Sequence, residues 1–285
     1  QREVQSMHDA GMGGFFMHSR YGLKTPYLSD EWFECVTACV EKGRELDMRP
    51  DLYDEDRWPS GPAGGIVTRN HPEYRIHYLK ATIEEGDVSD ALAAFSVELD
   101  GDGKVVSYSR LDHPAGVSGP VMVFRVHAQQ PGGWTNDGGY LDTMNPDAVA
   151  EFIRVTHEAY AERYGDDFGS LIPSIFTDEP SYGAQVHRLH GDERQVPWTA
   201  RIPGEFSERF GYDLLDHLPA VMHPQAENGF SKVRHHFYRL IGELFVEAFT
   251  RQIGEWCDKN GLQHELTFTA CIGRLDASSR PFSTE

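Results

Sequence analysis

Apolar and polar positions along this 285-residue chain follow two different rhythms. Near the start, "GMGGFFMHSR" (11–20) is a Gly-led apolar run ending in polar residues, which predicts a strand over 12–18. "LSDEWFECVTACVEKGRELDM" then sets Trp32, Phe33, Val36, Val40 and Leu46 at helical spacing. Ser29 stands where a helix cap belongs, and Asp30 and Glu31 fall in the first turn. A second apolar run predicts a strand over 49–54 that breaks into "DEDRWPSG". Strand, helix, strand in this order makes a β-α-β unit, with parallel strands and a right-handed crossover.

Between 66 and 137 the rhythm shortens. "YRIHYLKATIEE", "ALAAFSVELDGDGKVVSYSRL" and "VMVFRVHAQ" read as short strands, and Asp-Gly-Asp-Gly inside the second is a hairpin signal. From 138 the helical rhythm returns. It predicts strands over 138–142 and 171–177, and a helix capped by Asn145 with Pro146 at its first position and Gly165 at its close. A long helix over about 231–260 and a further strand in "LQHELTFTA" complete the pattern. The fold class expected is α/β, a partial TIM-type (β/α)₈ barrel with an inserted antiparallel β segment. Residues 1–65 form its first part, 66–137 the insertion, and 138–285 a truncated continuation. An uninterrupted barrel needs about 250 residues, more than remain once the insertion is set aside.

Charge narrows the partners. With 26 Lys+Arg against 45 Asp+Glu the net charge is −19, which argues against nucleic acid and anionic membrane surfaces and makes a neutral, uncharged substrate the easier expectation. No apolar run has the length of a membrane-spanning helix. The chain opens on Gln1, so an incomplete N-terminus is expected; the compartment stays open, with the cytoplasm favoured. Cys35 and Cys39 read as two buried thiols on one helix face, Cys257 and Cys271 lack partner spacing, and neither disulfide framework nor zinc site is expected.

In a parallel barrel, reactive groups gather at the carboxyl ends of strands. Three predicted strands end in polar clusters: His18-Ser19-Arg20, Asp54-Glu55-Asp56-Arg57-Trp58 and Asp178-Glu179. Glycosidic bond cleavage uses two carboxyl groups across the bond, one as acid and the other as base or nucleophile. Asp178 and Glu179 are adjacent, so on a strand they point to opposite sides. Glu179 is then the proton-transfer candidate and Asp178 its neighbour in support, and the second carboxyl group is expected from another strand end, at Asp54, Glu55 or Asp56 or past residue 285. His18, Arg20, Asp54, Glu55, Arg57 and Trp58 are candidates for substrate binding. Trp58, beside Pro59 and a glycine-rich loop, suits stacking on a sugar face, but equally suits packing beneath the inserted sheet. The acids could instead pair with Arg57. His187, His190, His235 and His236 read as solvated or capping residues. "GMGG" precedes its strand and is no dinucleotide fingerprint; no P-loop and no nucleophile elbow occurs.

The strings "GGFFMHSRYGL", "LYDEDRWPSGPAGG", "GGYLDTMNPDAVAEFI", "IFTDEPSY" and "YRLIGELFVEAFTRQIGEWCDKNGL" together resemble the catalytic barrel of bacterial glycoside hydrolases. The resemblance runs over 1–262 and is to the α-L-rhamnosidases of glycoside hydrolase family 106 and their uncharacterised relatives. It implies a (β/α)₈ barrel, hydrolysis of a sugar from a polysaccharide or glycoconjugate, and a catalytic glutamate at Glu179. It also implies inversion and a calcium ion near the sugar, without marking ligands in this chain. After the long helix, "QHELTFTACIGRLDASSRPFSTE" departs from the family's pattern, so the second carboxylate is expected outside these residues. Two other readings stay open: a non-catalytic carbohydrate-binding or pseudo-enzyme fragment, and a metal-dependent barrel lyase or isomerase using His18, Asp54 and Glu179.

Overall fold

The computed structural model describes residues 1–85, 88–102, 104–112, 121–183, 194–223 and 231–267. In chain order these give α1 (Arg2–Asp9), β1 (Gly14–Phe16), α2 (Asp30–Leu46), β2 (Arg49–Tyr53) and α3 (Ile66–Asn70). Four strands follow: β3 (His77–Glu84), β4 (Ala93–Leu99), β5 (Val105–Arg110) and β6 (Val121–Ala128). After these come α4 (Pro146–Val155), α5 (His157–Tyr164), β7 (Ser174–Asp178) and β8 (Arg194–Trp198). The chain continues with α6 (Ile202–Phe210), α7 (Leu218–Met222), α8 (Lys232–Phe245), α9 (Arg251–Lys259) and β9 (Gln263–Thr267).

The strands sort into two sheets. One is parallel, in the order β1-β2-β7-β9, and the other antiparallel, in the order β5-β4-β6-β3-β8. The β-α-β reading of the first 54 residues holds, down to the cap: the Ser29 hydroxyl accepts from the Trp32 amide at 3.2 Å. Asn145 likewise accepts from the Asp147 amide, with Pro146 opening α4. The hairpin signal also holds, since β4 and β5 pair and Asp100 folds its carboxylate onto the amides of Asp102 and Lys104.

Some expectations are corrected. Residues 138–142 form no strand of the parallel sheet; Leu141 makes a single antiparallel bridge to Arg75. Gly138 and Gly139 explain this, because they serve as a close-packed turn. The helix expected from 145 to 165 breaks at Thr156, whose hydroxyl bonds back to the Phe152 carbonyl and meets His157 Nδ1. The long helix contains a π segment over Val246–Thr250. Cys35 is exposed and Cys39 half-buried, so they are not a buried pair; Cys271, His187 and His190 lie outside the described residues. The sequence reading also missed β8, which forms the edge beside β3, where Pro197 is tolerated.

One hydrophobic core links both sheets and the helices. Leu52 and Ile175 of the parallel strands join Leu79, Phe95 and Phe124 of the antiparallel ones, with Phe152, Phe237 and Leu240 from the helices. The opposite face of the antiparallel sheet has a smaller cluster of Val88, Ala94, Val121 and Val123. No helix among the described residues is long and apolar enough to cross a membrane.

The loop after β2 packs backbone to backbone on the segment before Tyr140. A Cβ on Gly65, whose φ is +77°, would meet the Thr135 carbonyl oxygen at 2.1 Å, and one on Gly138 would meet the Gly65 oxygen at 2.6 Å. Gly65→Ala combines a positive φ with overpacking, and is expected to lower unfolding free energy by at least about 2 kcal/mol. Denaturant unfolding checks this; a loss under about 0.5 kcal/mol, the usual range of surface substitutions, would contradict the seam.

Candidate active site

The β2–β7 register sets Leu52 beside Ile175 and Tyr53 beside Phe176. The next residues of each strand, Asp54 and Thr177, therefore meet at the carboxyl end of the sheet. Asp54 is fully buried. Its carboxylate accepts from the hydroxyls of Ser60 and Thr177, each at 2.5 Å. His264 Nε2 lies 3.0 Å from the same Thr177 hydroxyl. Burial pushes the Asp54 carboxyl up to about 7, against the lowering effect of the two hydroxyls. Behind it, His157 Nε2 is buried without a hydrogen-bond partner, 4.0 Å from Asp54 Oδ2. Burial holds this imidazole down at about 3, so it is neutral.

Glu55 is also fully buried, and accepts from the amides of Asp56, Gly61, Ala63 and Gly64. Burial, then the Asp56 charge, push its carboxyl up, while the amides of Asp56 and Gly64 oppose them. Four amide hydrogens on two oxygens is the surrounding of an ionised carboxylate, and the geometry supports that form. Asp56 accepts from Arg57 and Asn136 through Oδ2. Asp54 and Glu55 are thus committed to the fold of their own loop and closed to a substrate, and Asp56 is held by Arg57 and Asn136.

The open groups stand beyond them. β7 ends at Asp178, and Glu179 follows with φ +42°, a left-handed backbone that side chains other than glycine adopt rarely. Strand alternation therefore stops one residue short of Glu179. Its Oε2 accepts from the indole N–H of Trp58 at 2.7 Å, and among the described residues its Oε1 has no partner. Asp178 turns the other way. Its Oδ2 lies 3.2 Å from His18 Nε2, and its Oδ1 accepts from the Thr267 hydroxyl at 3.3 Å. His18 Nδ1 lies 2.6 Å from the Ser19 carbonyl, which can only accept, so that nitrogen carries a proton. The contact between Nε2 and the Asp178 carboxylate ties the loop after β1 to the end of β7. The His18 ring also stacks on Tyr53 at 3.9 Å.

An aromatic wall rises beside Glu179. Trp58 is 37% exposed and does not pack beneath the antiparallel sheet. Its ring edge meets Trp134 at 6.2 Å, Trp134 stacks on Tyr21 at 5.2 Å, and the Arg57 guanidinium lies 5.2 Å from the Tyr21 centroid. A cavity of about 500 Å³ opens along this wall, bordered by Trp58, Trp134, Tyr140, Gln129 and Ser181. Arg20 is exposed and takes no part in these contacts. Of the residues singled out from sequence, the structure brings together His18, Asp178, Glu179, Trp58 and Arg57. Trp134 and Tyr21 were missed; "GGW" between turn-forming residues was the available signal for the first.

The calcium implied by resemblance does not fit these groups. Among the described residues no cluster of three or more His, Cys, Asp and Glu side chains could hold a metal, and the three consecutive acids are already occupied. For the same reason His18, Asp54 and Glu179 do not form a metal triad.

No family model matches the chain, and no curated protein matches it. Among solved structures it is similar to a rhamnosidase from Novosphingobium sp. PP1Y, at a TM-score of 0.55 and 11% identity. The likeness is one of fold. It covers 92% of this chain but 44% of that one, so this chain spans less than half the length of that rhamnosidase.

Two outcomes follow from the buried acids. Glu55→Gln turns an NH₂ toward amide donors and is expected to destabilise by about 2–4 kcal/mol, in line with a buried polar group left unsatisfied. Unchanged thermal stability would remove Glu55 as the organiser of its loop. Asp54 gives a pH signature. Its folded pKa is raised above 3.8, so the native state holds the proton more tightly than the unfolded chain. The linked stability is fully present below the unfolded value and is lost as pH rises through about 7. Asp54→Asn cannot ionise, so relative to wild type it should gain on the order of 2 kcal/mol between about pH 5 and about pH 8. Urea unfolding at both values tests this; a constant difference would show that Asp54 does not titrate there.

Proposed function

We propose that the chain is part of a glycoside hydrolase of α-L-rhamnosidase type, in which the four parallel strands are a segment of a TIM-type (β/α)₈ barrel. The observation that carries the reading is the placement of Glu179. It stands just past a strand end, with one oxygen fixed by Trp58, which itself borders the aromatic-lined cavity, and the other without a partner among the described residues. Because the indole N–H occupies Oε2, a transferable proton belongs on Oε1. Glu179 is then the acid that protonates the leaving oxygen of a glycosidic bond. Asp178, held by His18, points away from Glu179 and fixes the β1 edge of the site. Trp58, Trp134 and Tyr21 offer flat apolar surface to sugar rings. The similarity of fold to a rhamnosidase supports this reading.

Hydrolysis needs a second carboxyl group across the bond. The loop after β2 does not supply it, since Asp54 and Glu55 are enclosed and Asp56 is held by Arg57 and Asn136, and this favours a partner from a strand end outside the described residues. The same observation supports a second reading, in which these residues bind sugar without turning it over.

The test uses the full-length protein on an aryl α-L-rhamnoside and on a rhamnosyl disaccharide. Glu179→Gln keeps the shape and removes the transferable proton, so turnover of the disaccharide should fall by about 10²–10⁴-fold and that of the activated aryl glycoside by less. Trp58→Phe keeps the ring but loses the N–H, and should lower kcat by about 10–100-fold with little change in KM. Small, equal losses on both substrates in Glu179→Gln would take Glu179 out of the mechanism. Sugar binding by calorimetry with no turnover in the wild type would establish the binding reading.

A further inference from the structure

Arg57 also borders a second cavity, of about 280 Å³, separate from the acid rim. Lys24 and Arg69 line it with Arg57, Asp56 is its one acidic lining residue, and Pro26 and Tyr27 supply an apolar wall. The three cations are not equally spent. Arg57 is neutralised by Asp56 at 2.7 Å. Arg69, an exposed residue, donates from one guanidinium nitrogen to the backbone carbonyls of Gly64 and Asn136, which are neutral acceptors. Among the described residues, neither Arg69 nor Lys24 has a carboxylate within 4.0 Å. Glu55 approaches from behind the Gly64 backbone, but its oxygens are already taken by four amides.

This concentration runs against the composition. A chain with 45 acids and 26 bases places three bases around one small cavity that holds a single acid. A cleft lined by an excess of one charge focuses its field on a ligand of the other. Guanidinium and ammonium groups with an unfilled charge are matched best by carboxylate, sulfate or phosphate oxygens. The volume suits one small anion or a single sugar ring, near the lower end of ligand pockets. We propose that this cavity is a binding site for an oxyanion, carried either by an acidic sugar or by free inorganic sulfate or phosphate. The inference does not depend on hydrolysis at Glu179.

Calorimetric titrations of the protein with glucuronate, sulfate and phosphate at constant ionic strength test it, with glucose as the neutral control. Saturable binding of at least one anion and none of glucose is expected. Lys24→Gln and Arg69→Gln should each weaken that binding about tenfold, as for loss of one charge-assisted partner, while Lys259→Gln on α9 should not. Binding of glucuronate alone identifies an acidic sugar as the source; binding of sulfate or phosphate identifies a free ion. If Arg69→Gln fails to fold, because it ties two backbone carbonyls, Lys24→Gln decides alone. Absence of saturable binding, equal binding of glucose and glucuronate, or full affinity in Lys24→Gln would overturn the proposal.

Discussion

Two carboxylates taken out of water, Asp54 and Glu55, hold the rim of the parallel sheet in shape. A buried carboxylate costs several kcal/mol unless its oxygens are matched, so the backbone around it must bring donors to it. Glu55 is matched by four amides from residues 56–64, and those amides can converge only if the loop curls around the side chain. Asp54 is matched by two hydroxyls, one from the same loop and one from β7. The loop is thereby bound at both ends, to its own carboxylate and to the neighbouring strand.

Ser60 passes that constraint on to the site. Its hydroxyl donates to Asp54 and accepts from the Asp178 amide, while its own amide donates to the Asp178 carbonyl. The loop therefore cannot shift along β7 without breaking contacts at a buried acid. Trp58 lies within this closed stretch, so its indole N–H is delivered to Glu179 by backbone geometry instead of by a free rotamer. The aromatic wall depends on the same clasp: Trp134 donates to the Trp58 carbonyl at 3.0 Å, and Tyr140 donates to the Ser60 carbonyl. Positioning of an acid by a rigid frame of this kind is what proton transfer at a fixed site requires.

How much of this could be read from the sequence depended on the range of the interaction. Local signals were legible: the caps at Ser29 and Asn145, the hairpin at Asp100, the β-α-β unit and the strand ends that bear His18, Asp178 and Glu179. The strand placed at 138–142 failed because Gly138 is there for close backbone packing against Gly65, a contact 73 residues apart that no periodicity records, and Gly139 turns left-handed against Arg75. The acids after β2 looked like substrate ligands because they are charged and follow a strand. The burial of Asp54 and Glu55 is decided by donors at residues 56, 60, 61, 63, 64 and 177, and side-chain type alone does not show which acids a loop will enclose. Trp134 escaped notice for the opposite reason, since a tryptophan in a polar, Gly-rich loop carries no pattern until its partner Trp58 is placed.

The end of β7 ties folding to chemistry most closely. Had the strand run on, Glu179 would have continued the alternation and stood opposite Asp178. Instead the chain turns left-handed at Glu179 and meets Pro180, a step that costs on the order of 1–3 kcal/mol for a side-chain-bearing residue. The hydrogen bond that Trp58 donates to the Glu179 carboxylate and the one that the Glu179 amide donates to the Thr267 hydroxyl offset part of it. The Thr267 hydroxyl also donates to Asp178, so one side chain of β9 touches both acids. The strained step is thus held from the β2 loop on one side and from β9 on the other. Release of either support would let Glu179 relax into the strand geometry that the sequence alone suggests, with its carboxylate displaced from the aromatic wall.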